Sequence, residues 1–239
     1  MSNIKEESYD LLEEDNTEAS MKQKIRIDFI RKVYGILLFQ VILTTIIVYL
    51  SITTTFFTTY LFPNFIWVYV SIFGLFFTLL LLLVFDSISR SVPLNYIILT
   101  IFTLCESYIV SLSTSYYDPL SVLICAGITC GIVLALTLYA IFTKTDVTVC
   151  GGTLASLSII LFILTIIGLF FPSLFYQTLV NSCGLFLFSL YLVYDTQLVI
   201  GNNSKYLSTD DYIRGAVEIY MDIITIFLKV LWFFGKKKK

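Results

Sequence analysis

VTVCGGTLASLSIILFILTIIGLFFPSLFYQTLVNSCGLFLFSLYLVYDTQLVI, residues 147–200, runs from Val147 to Tyr194 without a charged side chain. A helix needs only about 20 apolar residues to cross bilayer hydrocarbon. The run is too long for one crossing, and Pro172 divides it, so it predicts two crossings joined by a short turn. The first charge it meets is Asp195, inside apolar sequence. A carboxylate at that depth costs roughly 3 kcal/mol or more, so it needs a partner or a task.

The same pattern recurs outward. No charge lies between Lys32 and Asp86. The 239-residue chain is 58% hydrophobic and 13% charged, against about a quarter charged in soluble domains. Apolar segments fall at 33–52, 65–85, 96–114, 119–142, 153–171 and 178–200, with a weaker seventh at 213–234. Pro63-Asn64, Pro93, Asp118-Pro119, Cys150-Gly151-Gly152 and Pro172 punctuate them. Strand-like alternation is absent, which argues against a barrel. The chain is read as all-α: a polytopic membrane bundle of six transmembrane helices plus a seventh helix, central or re-entrant.

The seventh segment holds a second acid in apolar sequence, Asp222 in IYMDIITIFL at 219–228. Segments six and seven are consecutive, so the two carboxylates can face each other. Asp195 lies roughly 7–8 Å from the end of its segment and Asp222 roughly 12 Å into the next, at 1.5 Å per residue. That mismatch is one helical turn, within the range of tilt and side-chain reach. At ~4 Å and an effective dielectric of ~20, two carboxylates repel by about 4 kcal/mol, so one proton would be shared between them. A divalent cation could replace it. Calcium wants about 6–8 oxygens and two carboxylates offer at most four. Asp195 and Asp222 therefore read as a weak transit site of the sort conduction requires.

Glu218 and Asp222 are four residues apart and Lys229 is seven further, all on one helix face. This face either lines a cavity or is the wet side of an interfacial helix. Glu106, in TLCESYIVS at the middle of segment three, is either a pathway residue or a hydrogen-bonded core carboxyl. Asp86 and Arg90 form a solvated loop pair, or Arg90 locks an aspartate and gates the site. Asp210 and Asp211 cap the seventh helix or collect cations at its mouth.

Loop charge sets orientation. The connections 53–64, 115–118 and 172–177 have no Lys or Arg, whereas the alternate ones hold Arg90, Lys144, Lys205 and Arg214. This places the N-terminus in the cytosol. Residues 1–25 read as a disordered acidic cytosolic tail that ends in a basic cluster. Residues 26–235 are the membrane domain and 236–239 a basic C-terminal tail. Seven crossings would put Lys236 to Lys239 outside. Charge thus leans toward a seventh segment that enters and returns on the cytosolic side, the alternative being a central helix shielded by six others.

Several chemistries fall away. The chain has no histidine, so histidine bases and histidine-ligated zinc are excluded. Five cysteines, none in a CxxC pair, read as small buried hydrophobes. Tyr194-Asp195 fits half of an intramembrane aspartyl protease, but the second half needs a GxGD stretch where this chain has Tyr220-Met221-Asp222-Ile223. No internal repeat supports an alternating-access transporter. The chain is not read as an enzyme, and neither a cofactor nor a nucleic-acid partner is expected.

DFIRKVYGILLFQVILTT at 28–45, PLNYIILTIFTLCES at 93–107, YLVYDTQ at 191–197 and IYMDIITIFLKVLWFF at 219–234 together resemble the transmembrane Bax-inhibitor motif family. Within it the likeness is to the Lifeguard branch, with the Golgi anti-apoptotic proteins of vertebrates and poxviruses. The resemblance implies a pH-sensitive calcium leak channel of Golgi or endoplasmic reticulum membranes that lowers store calcium and suppresses apoptosis. The alternative it leaves is a non-conducting regulator that binds apoptotic factors or other channels. Calcium is then the transported ion, lipid the surroundings, and a homo-oligomer an open arrangement. By motif, Asp195 and Asp222 occupy the two sensor aspartates, Asp210 the acidic position before segment seven, and Glu106 the third-segment glutamate. Arg90 lies within one position of a family basic residue. The chain departs from the pattern at Glu218, at Lys229 and in a longer connection through Gly201-Asn202-Asn203-Ser204. The terminal lysines resemble a dilysine retrieval signal, which acts from the cytosolic side.

Overall fold

The structure, a computed structural model, describes the backbone of residues 2–171, 173–201 and 207–238, and side chains within those ranges from Ser20 onward. Expectations resting on Pro172, on Asn202 to Lys205, on Lys239 and on acidic side chains before Ser20 lie outside the described residues.

Among the described residues eight α-helices follow in order: α1 (Ser2–Thr53), α2 (Phe65–Val84), α3 (Asp86–Ser89), α4 (Leu94–Ser115), α5 (Pro119–Phe142), α6 (Gly151–Phe170), α7 (Leu174–Ile200) and α8 (Tyr212–Phe234). The backbone of the acidic N-terminal stretch is continuous with α1. Among the described residues there is no strand, only an isolated bridge between Tyr117 and Lys237. Among the described residues six helical stretches are long and apolar enough to cross a membrane: Ser20–Thr53, Phe65–Val84, Leu94–Ser115, Pro119–Phe142, Val147–Phe170 and Leu174–Ile200. The chain is an all-helical, polytopic membrane protein.

The breaks fall where local chemistry puts them. Asn64 Oδ1 accepts from the Ile66 amide at 3.1 Å and caps α2. Ser173 Oγ accepts from the Tyr176 amide at 3.2 Å and caps α7. Pro119 begins α5, where its missing N–H removes no helical bond. The outer faces of α5 and α6 expose Leu123, Phe162 and Leu169, as a hydrocarbon solvent allows.

The core is built around α8. It packs against α1, α2, α4, α5 and α7, and buries Ile213, Val217, Tyr220, Ile226 and Leu231 almost completely. It is one unbroken helix of 23 residues, about 34 Å long at 1.5 Å per residue. Its first turn lies beside Arg90, at the start of α4, through a 2.9 Å bond from Arg90 to Asp211. Its end lies beside the α4–α5 turn. There the Asp118 amide donates to Lys236 O at 2.8 Å and the Lys238 amide to Tyr116 O at 2.9 Å. These are opposite ends of α4, so α8 traverses the bundle and does not return.

The re-entrant reading favoured by charge therefore fails. A lipid-facing helix cannot carry Arg214, Glu218, Asp222 and Lys229, but a central one can, because each charge meets a polar partner inside the bundle. The loop asymmetry itself is realised. Arg90, the Lys144 loop (held through Thr145 O to Gln197 Nε2 at 2.9 Å) and Arg214 share one end of the bundle, called here the basic-loop end. Lys236 to Lys238 emerge at the other, among connections without Lys or Arg.

Candidate functional site

Helices α7 and α8 run antiparallel, and two glycines let them close. A Cβ on Gly215 of α8 would lie 3.1 Å from Val199 Cγ2 of α7, and one on Gly184 of α7 would lie 3.0 Å from Lys229 Cε of α8. The pair of glycines fixes the register of the seam. Taking Gly215 as level with Val199, Asp222 is about 10 Å further in and Asp195 about 6 Å, at 1.5 Å per residue. The offset of about 4 Å that remains is close to the mismatch expected from sequence, and it is side-chain reach that closes it.

At that level the carboxyl groups of Asp195 and Asp222 meet side chain to side chain within hydrogen-bonding reach. Asp195 is 7% exposed and Asp222 3%. Asp222 Oδ2 is buried and has no hydrogen-bond partner among the described residues. Two buried carboxyls in contact cannot both carry full charge cheaply. The arrangement can hold one proton between them, or a cation in its place.

The other sequence candidates divide. Glu218 stands beside this pair and acts on both carboxyls electrostatically, and it is paired with Arg214, Nε to Oε1 at 2.9 Å. The acidic patch inferred from sequence is thus partly neutralised by a residue not singled out there. Lys229 lies two turns along the same face and donates to Asn181 Oδ1 at 2.8 Å. Glu106 is buried at 6% exposure, but it neighbours Tyr220, on the face of α8 turned toward α4. It is not part of the aspartate pair. Asp210 is exposed at the mouth of α8.

The capping expectation is corrected at Asp211. That residue holds the N-cap position of α8, yet its side chain makes no cap bond. Instead Oδ1 accepts from Arg90 Nε at 2.9 Å. Arg90 does lock an aspartate, and the hydrogen bond first, then the charge of Asp211, raises its pKa. Asp86 accepts a backbone bond from the Arg90 amide at 3.0 Å, and its charge acts on the guanidinium more weakly than that of Asp211.

Two features lie outside the residues singled out from sequence. Tyr220, Thr44 and Ser107 form a hydroxyl cluster, with Tyr220 Oη to Thr44 Oγ1 at 2.7 Å and Thr44 Oγ1 to Ser107 Oγ at 2.9 Å. Gln40 Nε2 donates to Thr103 Oγ1 at 3.1 Å one turn away. The signal was present as polar pairs at helical spacing, Gln40/Thr44 and Thr103/Ser107, in apolar runs. The second is Arg26, which donates to Leu198 O at 2.8 Å and Leu207 O at 2.7 Å. It clips α1 to the last turn of α7, where carbonyls lack helical donors.

Among the described residues, no group of three or more Cys, Asp or Glu side chains is placed to hold a metal ion.

A polytopic helical bundle with a charged central helix and a sealed carboxyl pair defines the class of protein. The family follows from comparison: residues 26–239 match the family described as "Inhibitor of apoptosis-promoting Bax1", and the chain belongs to it. It is 35% identical over 219 residues to human "Protein lifeguard 3", covering 90% of this chain and 70% of the relative. It is also 35% identical over 220 residues to "Protein lifeguard 4" of Mus musculus, covering 90% of this chain and 87% of the relative.

Proposed function

We propose that this protein is a proton-sensitive calcium leak pathway of Golgi or endoplasmic reticulum membranes that lowers store calcium and thereby suppresses apoptosis. The observation that carries the reading is the contact of Asp195 with Asp222, with Asp222 Oδ2 left unpartnered in a sealed seam. Protons and calcium compete for the same oxygens. With the proton held, the pair carries one negative charge instead of two and the seam stays shut. With it released, the pair attracts a cation that it binds too weakly to retain.

Arg90 and Asp211 tie the α3–α4 junction to the first turn of α8, at the end nearest the pair. They form the latch that limits entry. Loop charge supports a cytosolic N-terminus and basic-loop end. The family description, which names an inhibitor of apoptosis-promoting Bax1, supports the anti-apoptotic part.

The near-complete burial of both aspartates, 7% and 3% exposed, is what a second reading would use. In it the acids are structural, and the chain is a non-conducting regulator that docks on apoptotic proteins or channels.

Cells expressing the chain with a store-calcium sensor separate the two. The leak reading expects lower resting store calcium and improved survival after an apoptotic stimulus, both lost in Asp222→Asn at equal expression. Survival kept by Asp222→Asn without any fall in store calcium would support the regulator.

A further inference from the structure

The half of the seam beyond the aspartate pair is almost free of charge. Helices α5 and α6 carry none, and neither does α7 before Asp195. The exception is Lys229 of α8. Its stem lies against Gly184, within 3.0 Å of the place a Cβ would take, with Leu161 of α6 beside that same position. Its ammonium donates to Asn181 Oδ1 at 2.8 Å, the one protein hydrogen bond it makes among the described residues. Asn181 and Gly184 fall on one face of α7, so the glycine admits the stem and the amide fixes the head.

Distances along the seam follow from the helical rise. Lys229 is seven residues from Asp222, about 10 Å, and Gly184 eleven from Asp195, about 16 Å, at 1.5 Å per residue. The seam therefore runs in sequence from the basic-loop end: the Arg90–Asp211 tie, the aspartate pair beside Arg214–Glu218, then Lys229 with Asn181. A cation that followed the seam from the pair toward the far end would pass an anchored ammonium. The charged groups along the seam are Asp195, Asp222, Glu218 and Arg214 on one side and Lys229 on the other.

We propose that Lys229, positioned by Asn181, is the residue that sets charge selectivity and throttles cation passage through the α7–α8 seam. This rests on the conduction reading above. The barrier it raises scales with the charge of the ion, because the Coulomb energy is proportional to both charges. A divalent ion is held back by the square of the factor that holds back a monovalent one. The chain is thereby a slow leak with a bias against divalent ions, and Lys229 is where that bias is set.

The test uses the full chain in proteoliposomes loaded with calcium or with sodium, comparing efflux per reconstituted protein. Lys229→Met keeps the stem and removes the charge. It is expected to raise sodium efflux about threefold and calcium efflux about tenfold, the larger being near the square of the smaller. Lys229→Arg keeps the charge and is expected to stay near wild type. Asn181→Asp places a carboxylate on the ammonium and is expected to act like Lys229→Met, which covers the case of a methionine variant that does not fold. Equal factors for both ions would assign Lys229 to packing and overturn the proposal. So would wild-type efflux in Lys229→Met and Asn181→Asp while Asp222→Asn still abolishes flux, a result that leaves the conduction reading standing. No flux from any variant overturns both.

Discussion

The phenol oxygen of Tyr220 lies 2.7 Å from Thr44 Oγ1 and joins α8 to α1 in the middle of the bundle. Thr44 also reaches Ser107 of α4 at 2.9 Å, so three helices share one hydroxyl. Tyr220→Phe keeps the ring, which packs edge-on against Phe102, and removes the O–H. It is expected to cost about 1 kcal/mol of stability. Thr44→Val should cost a similar amount, and the double variant less than the sum. Thermal unfolding in detergent measures all three, and strictly additive losses would show that the hydroxyls do not act together.

Arg90 Nε to Asp211 Oδ1 at 2.9 Å is the tie between the α3–α4 junction and α8. Arg90→Gln and Asp211→Asn are each expected to raise calcium efflux severalfold at neutral pH. Exchanging the charges, Arg90→Asp with Asp211→Arg, should bring it back. Because Arg90 is exposed, high salt should mimic the single variants in part. Unchanged efflux in both would remove the latch.

Glu218 is compensated by Arg214 at 2.9 Å, and this sets the sign of its effect. Calcium efflux is expected to fall on acidification, as protons displace calcium from the aspartates. Glu218→Gln removes a negative charge near the pair and leaves Arg214 unbalanced. Both changes favour the ionised pair, so the efflux curve should move to lower pH by on the order of one unit. Arg214→Gln should move it the other way. Superimposable curves would show that the ion pair and the aspartates are not coupled.

Lys236 to Lys238 are bound to the α4–α5 turn through backbone bonds from Asp118 and to Tyr116. A cysteine at position 237 and one at position 91, each in a background lacking the five native cysteines, are expected to react with an impermeant thiol reagent from opposite sides of a sealed vesicle. Reaction from one side would contradict a spanning α8. It would also restore the terminal lysines as a retrieval signal on the cytosolic face.

Charge-free length made the six spanning segments legible, because hydrocarbon tolerates little else. The aspartate pair was legible for the same reason: two acids in consecutive apolar segments have few places to go. The course of α8 was not. Hydropathy and loop charge report on a helix that faces lipid, whereas α8 is solvated by its neighbours: Arg214 neutralises Glu218 and Asn181 accepts a hydrogen bond from Lys229. The Lys229–Asn181 contact depends on which faces of α7 and α8 meet, which Gly184 and Gly215 decide through packing. The Tyr220 cluster was missed because hydroxyls in apolar helices are usually satisfied by their own backbone, as Ser111 is, at 2.7 Å from Ser107 O. Asp211 went to Arg90, and not to its own helix, because partner position is a tertiary fact.

Calcium efflux from proteoliposomes, recorded across pH for the wild-type chain and for Asp195→Asn and Asp222→Asn, tests the aspartate pair most directly. A gate made of that pair gives wild-type efflux that falls with acid, and efflux in each variant that is at least tenfold lower and flat across pH. Variants with wild-type flux and an unaltered pH profile would contradict it.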